Sequence, residues 1–177
     1  IQRSPEQRAR LVKARAQHRH ILTFVNMAVR RQRIRRRCRL GENPAQSESW
    51  KEASIEKAFE DCEECVTHAC CWNKRRPDTG ILIKKPTKLK GDKEIIEELN
   101  KQCSGDHSHS AIEGSMKVPG PKGGWKSVRM SEWAGGYTEE FARAMLRGAE
   151  RTLKMRGFDP QKKTQLVYFG EDGEASD

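Results

Sequence analysis

Residues 4–40 read SPEQRARLVKARAQHRHILTFVNMAVRRQRIRRRCRL, and the fold turns on taking them as one long helix. Ser4 is placed to cap it, Pro5 sits where a missing N–H costs nothing, and Gln7 completes a capping box. Gly41, followed by Asn43 and Pro44, supplies the stop. Leu11, Ala14, Ile21, Leu22, Val25, Met27, Ala28, Val29 and Ile34 form an apolar stripe that is strongest over residues 21–29 and gone by Arg35. The middle of the helix is therefore expected to pack and its ends are not. Unbroken, it would run about 54 Å, longer than a domain of this size, so its basic end should project.

The charge of the chain is concentrated in this segment. Residues 1–40 hold 13 Lys and Arg against the single acid Glu6, and everything after Leu40 sums to −2 of a net +10. Such asymmetry points to a polyanion, either nucleic acid or an anionic surface. Seven arginines crowd residues 30–39: Arg30, Arg31, Arg33, Arg35, Arg36, Arg37 and Arg39. They cover nearly every side of a helix, so the block cannot bury and must be neutralised by solvent ions or phosphates. Arginine, the better bidentate phosphate ligand, is used here to the exclusion of lysine. Binding to RNA or DNA would then be salt-sensitive and indifferent to base sequence.

Composition limits the remainder. Ile, Leu, Val and Phe make up 30 of 177 residues, and the mean hydropathy is −0.92, too polar for a large self-sufficient core. No run approaches the roughly 18 apolar residues of a membrane span, and the first 40 residues carry no signal-like apolar block. Secretion and membrane insertion are disfavoured, an intracellular location is expected, and the six cysteines read as reduced thiols or metal ligands rather than disulfides. The opening Ile1 suggests a segment processed or excised from something longer.

Working outward, residues 1–41 form the basic helix, 42–49 a polar linker, 50–170 a small α+β domain and 171–177 an acidic disordered tail. Within the domain, residues 50–72 read as a second helix with Ile55, Phe59, Cys62, Val66 and Ala69 or Cys70 at spacings of three and four. Residues 80–83 suggest a short strand, and residues 92–102 a helix with Ile95, Ile96 and Leu99 inward. Residues 103–133 look like irregular loop. A last helix spans 138–156 between Thr138 and Gly157, with Ala142, Met145, Leu146, Ala149 and Leu153 on one face, and residues 166–169 make the best remaining strand. The fold class is mainly α with a few short β-strands, a small Cys/His-containing centre carrying a long projecting basic helix.

The centre is expected where Cys and His cluster. Cys62 and Cys65 form a C-x-x-C followed by His68, Cys70 and Cys71; Cys103, His107 and His109 form C-x3-H-x-H. Zinc takes four such ligands in a tetrahedron, and neighbours two or three residues apart can hold one ion without strain. The second cluster lies in loop, where side chains are free to converge. Its fourth ligand is expected to be Cys62 or Cys65, although cysteines on a helix face also serve as small buried hydrophobes. His18 and His20, two apart on a helix, cannot chelate together.

Other motifs dissolve. Asp78-Thr79-Gly80 has the letters of an aspartic-protease turn but follows Arg75, Arg76 and Pro77 rather than apolar strand. In residues 120–127, Trp125 stands where a phosphate loop needs glycine. Asp106-His107 could open a one-metal nuclease site, but no histidine follows His109 to complete it. Glu60, Asp61, Glu63 and Glu64 fall on the outer face of the second helix, solvated and unsuited to acid–base work.

The run Cys103-Ser104-Gly105-Asp106-His107-Ser108-His109, then Ile112-Glu113-Gly114-Ser115 and Tyr137-Thr138-Glu139-Glu140-Phe141, resembles a segment of copia-like retrotransposon polyproteins. There a C-x-G-x-H-x-H stretch leads to a glycine-containing loop, a tyrosine and an amphipathic helix. The resemblance covers residues 103–146, with residues 116–127 as an insertion. It implies Cys103, His107 and His109 as the matching positions and, lying apart from the polyprotein's enzymatic centres, implies no catalytic residue. The expectation is a non-catalytic, zinc-stabilised, nucleic-acid-binding segment of a retroelement-like polyprotein. One alternative is a structural subunit of a large ribonucleoprotein such as a ribosome, ordered on assembly with other protein chains. Another is a catalytic fragment completed by a further chain.

Overall fold

The computed structural model describes residues 4–120 and 123–158. Its first helix, α1 (Pro5–Ile34), opens on the expected capping box: the Gln7 backbone N–H donates to the Ser4 hydroxyl and the Ser4 N–H to the Gln7 side chain. At thirty residues it is about 45 Å long. It ends six residues short of Leu40, because Arg36 turns left-handed at φ 53°. That reversal carries Cys38 and Arg39 into the body, where β1 (Leu40–Pro44) begins.

The expected linker is thus half strand, and Glu48–Lys51 adds a 3-10 turn. Residues 50–72 are not one helix. α2 (Ala53–Ala58) stops at Phe59, β2 (Glu63–His68) follows, and a second 3-10 turn occupies Ala69–Trp72. The apparent three-and-four spacing was two patterns abutting. Ile55, Ala58 and Phe59 face inward from a helix, whereas Cys65 and Thr67 face inward by the two-residue alternation of a strand. Residues 80–83 form only isolated bridges, Arg75 to Leu82 and Ile83 to Ser110. The real strand is β3 (Pro86–Gly91), with Thr87, Leu89 and Gly91 inward and Lys88 and Lys90 half-exposed. β3 is the centre of an antiparallel sheet ordered β1-β3-β2, pairing Leu40 with Gly91 and Cys65 with Leu89.

α3 (Lys93–Leu99) and α5 (Glu139–Met155) stand where the sequence placed them, and Ile95, Ile96 and Leu99 are buried as expected. The Thr138 hydroxyl caps α5 by accepting from the Phe141 N–H. The buried face of α5 is Phe141, Ala144, Gly148 and Thr152, with Leu146 exposed. Small residues decide this: a Cβ on Gly148 would lie 2.5 Å from the Ile95 Cα, so α3 and α5 touch backbone to backbone. Beyond residue 114 the expected loop holds a hairpin, β4 (Ser115–Pro119) with β5 (Trp125–Arg129), and a short helix, α4 (Met130–Gly135). The Asp78-Thr79-Gly80 turn is held by an Arg76–Asp78 ion pair at 2.6 Å. The strand expected over residues 166–169 and the acidic tail over 171–177 lie outside the described residues.

Apolar side chains gather in three small clusters. The first joins Cys65, Trp72, Leu89, α3 and Phe141; the second seats Leu22, Val25 and Val29 of α1 on Trp50, Ile55 and Phe59; the third joins Ile83, Met116 and Met130. The protein is mainly helical with small sheets, and the long basic helix projects from a body that contains a Cys/His centre. No helix among the described residues is long and apolar enough to cross a membrane.

Candidate functional site

Two polar links hold the loop after α3 against the end of β2. The Thr67 hydroxyl donates to the Lys101 carbonyl at 3.0 Å and accepts from the Trp72 indole at 2.7 Å, and the His68 N–H donates to the same carbonyl. Lys101 then lies 4.3 Å above the Trp72 ring. These contacts set Cys103 beside the 3-10 turn that carries Cys70. Gly105, at φ 85°, reverses the loop so that His107 and His109 return toward Cys103.

The outcome is a group of four donors, Cys70, Cys103, His107 and His109, whose ligand atoms all lie within 4.8 Å of one another. The Cys103 Sγ is 3.6 Å from His107 Nε2 and 3.4 Å from His109 Nε2. Surrounding groups orient them. His107 Nδ1 faces Asp106 at 2.7 Å, which leaves Nε2 for an ion, and the Cys103 N–H donates to His68 Nδ1 at 2.9 Å. Burial, then the neighbouring Cys103 and Cys71, pushes the Cys70 thiol up to about 12. A cation at the centre would oppose that shift by stabilising thiolate. Burial, with His107 and Lys84, holds His109 below the ordinary imidazole value, which favours the neutral form a metal needs. This group could hold a metal ion.

The structure brings Cys103, His107 and His109 together as the sequence expects, and adds Cys70, which the sequence reading does not choose as the fourth donor. Cys62 and Cys65, expected to supply the fourth ligand, do not reach the centre. Cys62 packs beside Phe59 against α1, and Cys65 is buried in the first core cluster opposite Leu89. Burial raises both thiols to about 11, as suits cysteines acting as small hydrophobes. The signal for Cys70 lay in the β-branched pair Val66-Thr67: read as strand, it ends in a turn at Ala69 and delivers Cys70, rather than Cys62, to the loop.

The seven arginines divide. Arg39, 7% exposed, is part of the framework: its backbone N–H and guanidinium bind Asp92 at 2.8 and 3.0 Å, and its Nη1 binds Asp61 at 2.9 Å. It cannot serve a phosphate as expected. Arg33 is exposed but pairs with Glu60 and Asp61. Arg30, Arg31, Arg35, Arg36 and Arg37 are exposed and have no carboxylate partner among the described residues. Arg156 ties down their end of the chain by donating to the Arg36 and Arg37 carbonyls while pairing with Asp92 at 2.7 Å. Three of the four acids that the sequence places on a helix face are likewise committed. Glu60 and Asp61 pair with arginines, and Glu64 on β2 pairs with Lys88 and Lys90.

Compared with protein-family models, curated proteins and solved structures, the chain matches none.

Proposed function

We propose that the chain is a non-catalytic nucleic-acid-binding segment of a retroelement-like polyprotein, held in shape by one zinc ion on Cys70, Cys103, His107 and His109. The observation that carries the binding is the five guanidinium groups at residues 30, 31, 35, 36 and 37, which find no acid within the described residues. Two neighbouring arginines do find acids, so the lack of partners is selective. Zinc is favoured by the donor set and its spacing. A tetrahedral ion with ordinary Zn–S and Zn–N bonds puts sulfur about 3.6 Å from nitrogen, beside the 3.6 and 3.4 Å found here. The Asp106–His107 pair is the usual support for a zinc-bound imidazole.

Salt titration of binding to duplex nucleic acid tests the interface. Five phosphate contacts predict a slope near −4.5 in log K against log salt. Replacing all five arginines with Gln should flatten that slope by about 4.5, and an unchanged slope would move the interface elsewhere. One stoichiometric zinc in reduced, freshly purified protein is the matching result for the centre, and its lack would refute the metal. A second reading, a structural subunit of a ribonucleoprotein, draws on Phe24, Met27 and Ile34, which leave α1 exposed on the side away from the second cluster. Under that reading the same substitutions leave assembly with protein chains intact.

A further inference from the structure

Lys74 follows the second 3-10 turn and is only 8% exposed, yet no oxygen of the described residues meets its ammonium group. That group lies 4.7 Å above the Trp133 ring, and a Cβ on Gly136 would come within 3.6 Å of it. Burial and the neighbouring Lys85 hold it below the ordinary lysine value. A lysine this buried usually has a carboxylate partner; here the charge acting on it is a second ammonium, that of Lys85. Thr87, also buried, presents a hydroxyl that bonds no side chain or backbone group among the described residues. Lys74, Lys85 and Thr87 share the wall of a shallow cleft open to solvent, and none of its lining residues is acidic.

The aromatic side of the cleft bears on what fills it. Tyr137 stacks on Phe141 with ring centroids 4.7 Å apart and planes 10° from parallel, and it remains exposed. Its free face is a plane on which a base can lie. Two ammonium groups and one hydroxyl suit an anion of more than one charge and several oxygens, and the one carboxylate beside the aromatic side, Glu42, is engaged with Tyr137.

We propose that this cleft binds a nucleotide, its phosphate on Lys74, Lys85 and Thr87 and its base on Tyr137. The phosphate could belong to a free nucleotide or to the terminus of a strand, and it is held independently of the arginines of α1.

Isothermal titration and amide NMR of the full chain with inorganic phosphate, AMP, and one oligonucleotide in 5′-phosphorylated and 5′-hydroxyl forms test this. Saturable AMP binding is expected, with shifts at the Thr87, Gly136 and Tyr137 amides. K85Q, at a half-buried position, should weaken AMP about ten-fold at unchanged melting temperature, which keeps the test open if K74M does not fold. Y137A should weaken AMP about ten-fold and leave inorganic phosphate unaffected. A preference of the oligonucleotide for its 5′-phosphorylated form, beyond the affinity for AMP, assigns the site to strand ends; AMP binding at least as tight assigns it to free nucleotide. No saturable binding of AMP overturns the proposal, as does AMP binding no tighter than inorganic phosphate or indifferent to K85Q.

Discussion

The Cys/His centre and the arginine end of α1 are both crowded with chemistry-bearing side chains, but they are solved in opposite ways. In the centre, His68, Asp106, Thr67 and Lys101 each spend a hydrogen bond on placing a ligand or its loop. At the end of α1, five arginines are exposed with no carboxylate arranged around their side chains among the described residues, and the neighbours that do have partners, Arg33 and Arg39, serve the body. A site that must fix geometry recruits supporting residues. One that only needs charge leaves them out, because a phosphate backbone accepts many orientations of a guanidinium group. The contrast separates residues whose loss should unfold the protein from residues whose loss should alter only binding.

The largest effect belongs to the centre. If the proposed zinc is held there, C103S or a strong chelator should remove a contribution on the order of 10 kcal/mol and release residues 100–110 from β2, seen as a collapsed melting temperature and lost amide dispersion there. Zinc-independent melting would break the comparison at its first limb. Next comes the framework arginine. D92A leaves Arg39 with a buried charge short of a partner and frees Arg156, so it should cost about 3–5 kcal/mol in denaturant unfolding, and R39Q should be similarly damaging. Should R39Q prove harmless, Arg39 would rejoin the surface set. D106N keeps the ligands but withdraws the carboxylate from His107, and zinc affinity measured by competition should fall about 10- to 100-fold. The smallest effect is on stability at the other limb: R35Q, R36Q and R37Q together should shift unfolding by less than about 0.5 kcal/mol per site, even as the proposed nucleic-acid binding weakens.

How much the sequence revealed follows from the range of the forces involved. α1, α3 and α5 were legible because their caps and apolar spacings are local: Ser4 with Gln7, Thr138 before Phe141, and Ile95, Ile96 and Leu99. Residues 50–72 misled because a helix and a strand meet there without a Gly or Pro between them. β3 was hidden by lysines that leave only Thr87 and Leu89 to show its alternation. Three of the four donors could be read from one loop. The fourth, Cys70, is brought to it by the bonds of Thr67 and His68 to the Lys101 carbonyl, and a contact between residues so far apart in the chain leaves no local trace. Arg39 was taken for surface since nothing in its arginine-rich surroundings announces Asp92, 53 positions along the chain.

Three small apolar clusters in place of one core carry a kinetic consequence. The second cluster seats α1 through the half-buried Leu22, Val25 and Val29, with exposed ion pairs from Arg33 to Glu60 and Asp61, and water competes for such links far better than for fully packed side chains. The molecule should therefore open in pieces. Amide hydrogens of α1 would exchange through a low-energy detachment that leaves α3, α5 and β3 closed, and those of the central packing only through global opening. A protein built in this way can reorient its charged arm while the body that carries the Cys/His centre stays folded.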